Sequence, residues 1–371
     1  MQRAEVVVVG AGAAGLGLAV RLAAQGTPGV VLVQSPRPAP ERTWCSWQRG
    51  PVLWSGAVAH RWPTATVVGP DAVERRLRLS PYRYEMVRSG DFARWAAGRL
   101  DGVEQLAATV ERVDDGEDHA VLRGDGVEIA ARWVLDTRPV PPSGRGRTAL
   151  LQHFRGWTVR TASAAFDPSV AGLMDFRVPQ PAGGVAFGYL LPTSEREALV
   201  EYTEFTREAL DDAGYDAALR RYTADVLHLP PFEVLAVEQG AIPMTDAPFP
   251  RRVGQRVFRL GAAGGATRPS TGYTFTAAQR QAAAVADALA AGRDPEPPAA
   301  YPRRHLAMDA LLLRAVDTGR LDGAAFLADL FGRHTVGRVL RFLDGDSTLR
   351  EELAVMAGAP RRPMLRSLLP G

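Results

Sequence analysis

Two glycine-rich turns at opposite ends of this chain constrain its fold more than any other feature. The first, Gly10-Ala-Gly-Ala-Ala-Gly15, follows the β-branched run Val6–Val9 and opens Ala13–Ala24, a stretch rich in Ala and Leu. Gly26 ends that helical stretch, and Val30–Val33 reads as a second strand. A short apolar run bounded in this way is the kind that parallel sheets bury on both faces. In such a βαβ unit the first glycine permits the tight turn, the second lets backbone approach a pyrophosphate, and the third lets helix and strand pack closely. The phosphates then rest on free N–H groups of a helix N-terminus. Gly10, Gly12, Ala13, Ala14 and Gly15 are therefore candidate nucleotide-binding residues. The second strand of such a unit ordinarily ends in an acid that bonds the ribose, and here that position is Gln34, an acceptor without charge. The second turn, Gly261 to Phe275, lies between the strand-like Val257–Leu260 and the alanine-rich helix Thr274–Ala291. Gly264 and Gly265 permit close backbone approach, and Pro269 fixes the turn before Gly272. A nucleotide domain assembled from distant segments follows.

Composition removes several alternatives. At 371 residues the chain can hold two joined domains around a large core. All 44 basic residues are arginine. Without lysine there is neither a phosphate-loop NTPase nor Schiff-base chemistry. A net charge of +3 with a pI near 9.3 is too mild for a nucleic-acid partner, though it allows attraction to an anionic membrane surface. The single cysteine, Cys45, excludes an internal disulfide and a Cys-based zinc site, and it suits a reducing cytoplasm. Val6–Val9 is too short for a secretory signal, and no stretch approaches the ~20 apolar residues of a spanning helix. The expected location is cytoplasmic, at most peripheral to the inner face of the membrane. The six histidines show no ligand spacing, so no metal is expected, and no Gly-x-Ser-x-Gly turn suggests a hydrolase.

The expected fold class is α/β, with a discontinuous, doubly wound nucleotide domain over 1–48, 105–150 and 239–299. A mixed, β-rich substrate domain occupies 49–104 and 151–238, and a helical cap 300–371. Alternation predicts a strand or hairpin over Thr66–Leu79, and an amphipathic helix begins at Ser89. A meander is read over Ala107–Val113, His119–Leu122 and Val127–Ala130, with a separate buried strand at Ala131–Asp136. Further strands are expected near Phe154–Thr161, Met174–Val178, Val185–Leu191 and Ala198–Phe205, and helices over Leu210–Leu227, Leu306–Val316 and Phe326–Leu343.

Several motifs are distinctive: Arg42-Thr-Trp-Cys-Ser-Trp47, Tyr82-Arg-Tyr-Glu-Met86, Gln152-His-Phe-Arg-Gly-Trp157, Met174-Asp-Phe-Arg177, Leu199-Val-Glu-Tyr-Thr-Glu-Phe205, Ile242-Pro-Met-Thr-Asp246 and Arg268-Pro-Ser-Thr-Gly-Tyr-Thr-Phe275. Through these, nearly the whole chain resembles the bacterial flavin-dependent lycopene β-cyclases. The resemblance implies a glutathione-reductase-like FAD-binding domain in which Arg42, Gly261, Ser270, Thr271, Gly272 and Tyr273 join the glycine turns around the cofactor. It departs at Gly261-Ala262, where related flavoproteins carry Gly-Asp. It also implies a redox-neutral ring closure of an apolar isoprenoid that nonetheless needs reduced FAD, with NAD(P)H visiting only as reductant. The matching catalytic residue is Glu201. Relatives often place a second acid directly after it, whereas this chain has Tyr202 there and Glu204 further on. Asp175, Asp246 and Glu85 lie in matching segments and are candidates to orient the acid or bond the flavin. Cyclisation of another isoprenoid, and a flavin monooxygenase or prenyl reductase, remain as alternative activities.

The residues carry their own argument. A carboxylate ionised at neutral pH cannot protonate an alkene, so the acid must be held protonated, which burial achieves. If Leu199–Phe205 is a strand, Leu199, Glu201, Thr203 and Phe205 share one face while Val200, Tyr202 and Glu204 share the other. Phe154, Trp157, Phe176, Phe187, Tyr189, Tyr202 and Tyr273 are candidate aromatic walls for a cationic substrate. Gly337–Leu343 and Arg361–Leu369 combine arginines with leucines and are candidate membrane contacts.

Overall fold

The computed structural model describes residues 1–144 and 146–358. Strands and helices are numbered along the chain. In the first sheet, β1 (Gln2–Val9) runs parallel to β2 (Val30–Gln34), and β2 to β8 (Val103–Ala107). On its other side β1 pairs in parallel with β11 (Val127–Asp136). That strand also carries the parallel β17 (Val257–Arg259) and begins an antiparallel meander with β10 (Ala120–Gly124) and β9 (Arg112–Asp114). Helices α1 (Ala13–Ala24) and α4 (Phe275–Ala290) cover one face, burying Leu18, Leu22, Ala282 and Val285 against Val6 and Val8. The opposite face of the same strands, Val7, Val9, Val31 and Val33, packs with Leu122, Ile129 and Val134. Burial on both faces is why these strands read as unbroken valine runs.

The second sheet has the order β16 (Phe232–Thr245), β12 (Ala149–Thr161), β15 (Glu197–Thr206), β14 (Val185–Pro192), β13 (Val170–Asp175), β5 (Thr64–Val68), β6 (Glu74–Arg78). A three-stranded sheet, β3 (Thr43–Gln48), β7 (Arg83–Arg88) and β4 (Val58–Trp62), leads into α2 (Ser89–Ala97). One face of the second sheet joins the largest core. Phe176, Phe187, Leu199 and Phe205 meet Trp47, Trp62 and Tyr84 of the small sheet there, together with cap residues. The cap consists of α5 (Arg303–Asp317), α6 (Gly323–Arg333), α7 (Val336–Asp344) and α8 (Leu349–Ala357). The other face is covered by α3 (Asp212–Arg221) and the π-helical turn Tyr222–Val226.

Several expectations need correction. The strand expected near Met174–Val178 is Val170–Asp175. Ala107–Val113 is not one strand, since β8 ends at Ala107 and β9 starts at Arg112. Val127–Asp136 is a single strand, because nothing between Ala130 and Ala131 breaks the chain. Phe326–Leu343 divides at His334 and Thr335, whose extended backbone separates α6 from α7. The long strand β16 was not anticipated, and it runs straight through the boundary drawn at 238. The apolar side of α7 is not offered to a bilayer, because Val339, Leu340 and Leu343 are buried in the core. Arg361–Leu369 lies outside the described residues. Among the described residues, no helix is long and apolar enough to cross a membrane.

Candidate functional site

The two glycine turns meet in space. Gly10, at the end of β1, has φ +97°, and Gly15 packs so closely that a Cβ there would lie 1.8 Å from the Gly10 carbonyl oxygen. Gly12 is open, for a Cβ added to it meets nothing within 4 Å. The start of α1 has no side-chain cap and no acid in its first turn, so its leading N–H groups are left for an anion. Gly261, at φ +71°, presses on Ala14, and Gln279 of α4 donates to the Ala13 carbonyl at 2.7 Å. Gln281 fastens the second turn by accepting from Gly261 N–H at 3.1 Å and donating to the Gly264 carbonyl at 3.2 Å; Gly265 follows in the left-handed conformation.

Beyond that turn, Gly272 takes φ +70° beside Gln152. Gln152 Oε1 and Thr271 Oγ1 are buried there without a hydrogen-bond partner among the described residues. Buried polar atoms of this kind call for a polar partner. An open, uncapped helix start at one end and two orphaned polar atoms at the other fit a flavin dinucleotide spanning the turns. Gln34 ends β2 with its side chain exposed. Ser270 is otherwise engaged: its hydroxyl donates to Asp309 at 2.8 Å. Buried Arg268 binds the same carboxylate.

The acid end is a row of residues across four strands. Glu201 on β15 is opposite Tyr189 on β14 and Gly156 on β12, and Gly156 is in turn opposite Glu238 on β16. Directly opposed residues project from the same face, so Glu238, Glu201 and Tyr189 share a face, with Gly156 between the two acids and Leu199 Cδ1 lying over it, 2.9 Å from where a Cβ would stand. Glu201 is 8% exposed and accepts a hydrogen bond from Thr203 Oγ1 at 2.8 Å. Burial, and then the Glu238 carboxylate, push its pKa up to about 8, against the opposing pull of Thr203. Burial also raises Glu238, whose ionised form is favoured by a bond from Thr43 Oγ1 at 2.8 Å and by nearby Arg42. Arg42 donates to the Gln239 carbonyl, so the structure places it beside the second acid.

Above this row, Tyr84 bonds to the hydroxyl of Tyr189, and to that of Tyr273 at 3.3 Å. The Tyr273 ring stands edge-on to Trp47 at 4.7 Å. Phe176, Phe187 and Phe205 continue the apolar wall in edge contacts of 5.8 and 5.5 Å. Phe187 lies opposite Thr203, which is in turn opposite Phe154, on the Glu201 face.

Four of the expected residues fall elsewhere. Trp157 and Tyr202 face α3 in the outer core with Tyr215 and Tyr222. Glu204 faces the same way, accepting from the Tyr202 hydroxyl at 2.7 Å. Asp175 is paired with Arg177 at 2.6 Å and accepts from Tyr222. Strand alternation is the reason for the first three, because each sits an odd number of residues from the row or is paired with one that does. Tyr202, Arg177, Arg221 and Tyr222 line a cavity of about 670 Å³ on that outer side. Of the lesser candidates, Asp246 accepts from Thr148 N–H and Glu85 pairs with Arg61, both structural contacts. Sequence reasoning missed Glu238. The one available signal, an acid in a β-branched stretch, cannot reveal a neighbour two strands away.

The profile of the lycopene cyclase protein family matches residues 5–369. The chain belongs to the lycopene cyclase protein family. Among curated protein sequences none matches it. Solved structures share the fold. A geranylgeranyl bacteriochlorophyll reductase-like protein from Thermoplasma acidophilum superposes with a TM-score of 0.62 at 14% identity, covering 99% of this chain and 98% of that one. A flavoprotein/dehydrogenase from Cytophaga hutchinsonii gives 0.59 at 14% identity over 96% and 100% of the two chains. The p-nitrophenol 4-monooxygenase PnpA from Pseudomonas putida gives 0.55 at 16% identity over 99% and 97%. At these identities the likeness establishes the α/β FAD-binding fold, and the family match establishes membership of the lycopene cyclase protein family.

Proposed function

We propose that this member of the lycopene cyclase family is a non-redox cyclase that closes a six-membered ring at the end of a linear polyprenyl chain, with lycopene as its substrate. One observation carries the reading: a buried carboxyl, Glu201, whose ionisation is opposed by burial and by a second acid, set against an aromatic wall. Glu201 donates its proton to the terminal alkene, leaving a tertiary cation on the substrate. The internal alkene attacks that cation, a C–C bond forms, and a proton leaves the ring carbon to give the cyclic alkene. Proton in and proton out balance, so the product is an isomer of the substrate. Tyr189, Tyr273, Phe176 and Phe187 exclude water and offer their π faces to the passing positive charge.

The residues proposed to hold FAD are Gly10, Gly12, Ala13, Ala14 and Gly15 at the pyrophosphate, Gln34 at the ribose, and Gly261, Gly264, Gly265, Thr271 and Gly272 along the second turn. Bound and reduced, the flavin would supply negative charge that stabilises the passing cation. NAD(P)H is the proposed transient reductant, since the sequence offers no second dinucleotide fingerprint. The test is anaerobic incubation of the FAD-reduced protein with lycopene and with shorter prenyl chains, identifying products by mass and NMR. Isomeric cyclic products over many turnovers are expected. Consumption of one reductant or one oxygen per product would overturn the reading.

A further inference from the structure

Glu238 takes no part in the steps above, yet its geometry ties it to the acid that does. It lies in register with Glu201 on the far side of Gly156. Two strand spacings put their Cα atoms ~10 Å apart, close enough for each charge to be felt by the other. Gly156 leaves room between them that Leu199 Cδ1 partly fills: a Cβ built on Gly156 would lie 2.9 Å from that atom, 3.4 Å from Glu238 Cγ and 3.5 Å from Glu201 Cβ.

The remaining groups facing the pair are neutral or lie behind Glu238. From the small sheet come Cys45 and Tyr84, from β14 Tyr189, and from the second glycine turn Tyr273. Burial raises all four, the Cys45 thiol to about 12. Arg42 and Glu41 act on Glu238 with opposite signs, and Thr43 donates to it.

We propose that Glu238 is the second carboxyl of the site, a positioning residue whose negative charge, one strand beyond Gly156, keeps the proton on Glu201 when the alkene arrives. This rests on the reading of Glu201 as proton donor. Burial raises Glu238, but Thr43 and Arg42 pull against that and favour its ionised form; in the proposed arrangement Glu238 ionises first and its charge discourages Glu201 from ionising in turn. After donation both carboxyls are ionised, and the proton released on ring closure returns to the pair, restoring the starting state with no net change.

The experiment uses FAD-bound protein carrying ¹³C-labelled glutamate, with the infrared carbonyl band of protonated Glu201, assigned by its loss in Glu201→Gln, followed against pH. In Glu238→Gln the midpoint of that titration is expected to fall by about one pH unit, and the alkaline limb of the activity profile to move with it. Glu238→Asp, which retains the charge, should restore the midpoint toward that of the unsubstituted protein. Should Glu238→Gln fail to fold, Thr43→Val serves instead. Removing the bond that favours ionised Glu238 shifts the proton toward it and lowers the Glu201 midpoint in the same direction. An unchanged midpoint in the folded variant overturns the proposal. Because the titration needs no substrate, a midpoint that moves without any cyclisation would defeat the proposed function alone, and cyclisation with an unmoved midpoint would defeat this inference alone.

Discussion

The proposed proton donor must resist ionising near neutral pH, and for Glu201 the resistance comes first from burial and second from Glu238. Replacing Glu201 by Gln keeps the shape and removes the proton. Turnover should fall by about 10²–10⁴-fold while flavin absorbance titrations show unchanged cofactor binding. Activity should also fall as pH rises through about 8, where the donor ionises. The same shift has a stability consequence. Between the unfolded value of ~4.3 and the folded one, the native protein holds a proton that the unfolded chain has released. This contribution therefore declines as pH rises across that window. Denaturant midpoints should reveal it as a pH-dependent difference between the unsubstituted protein and Glu201→Gln, flat below ~4. On the opposite face, Tyr202→Phe leaves Glu204 without its donor. That should cost about 1–3 kcal/mol of stability, with turnover changed less than about threefold, as chemical denaturation and steady-state rates would register.

At the scale of elements, the glycine turns make a prediction that separates fold from cofactor. A Cβ at Gly12 touches no protein atom, and its φ of −86° suits any residue. Gly12→Ala should therefore leave the melting temperature of the flavin-free protein nearly unchanged while weakening FAD binding at least tenfold, measured by fluorescence titration. The turns were legible in the sequence because their demands are local: a positive φ, a close approach and a helix start each need glycine at a fixed offset. The inward direction of Glu201 was legible too, since a period of two assigns faces once a strand is recognised. Strand β16 was hidden because Pro231 directly precedes it, Gly240 and Pro243 interrupt it, and its edge position leaves Val234, Leu235 and Val237 exposed, blurring the usual alternation. With that strand went Glu238. Trp157 and Tyr202 were misplaced for a different reason, because aromatic character says nothing about which side of a sheet a ring occupies.

Across the whole molecule, the cap is bound to the second glycine turn through a buried charge cluster. Arg268, fully buried, pairs with Asp309 of α5 at 3.1 Å, reaches the Phe342 carbonyl of α7, and lies over the Phe342 ring at 5.0 Å. Ser270 donates to the same Asp309. Asp309→Ala leaves a guanidinium buried without its counter-ion and should cost about 3–5 kcal/mol, read as a lowered denaturation midpoint. Because the cluster anchors the loop that carries Thr271 and Gly272, the variant should also lose FAD affinity. The cap thereby belongs to the cofactor site as well as to the core above Glu201. Proton donation by Glu201 without net redox change is the claim on which the functional account stands. It is tested most directly by running the FAD-reduced protein anaerobically on lycopene in D₂O and weighing the product. One deuterium for hydrogen per ring closed, many turnovers per reduced flavin, and no product from Glu201→Gln are the predicted results. A product with altered hydrogen or oxygen count, or the same labelled product from Glu201→Gln, would contradict it.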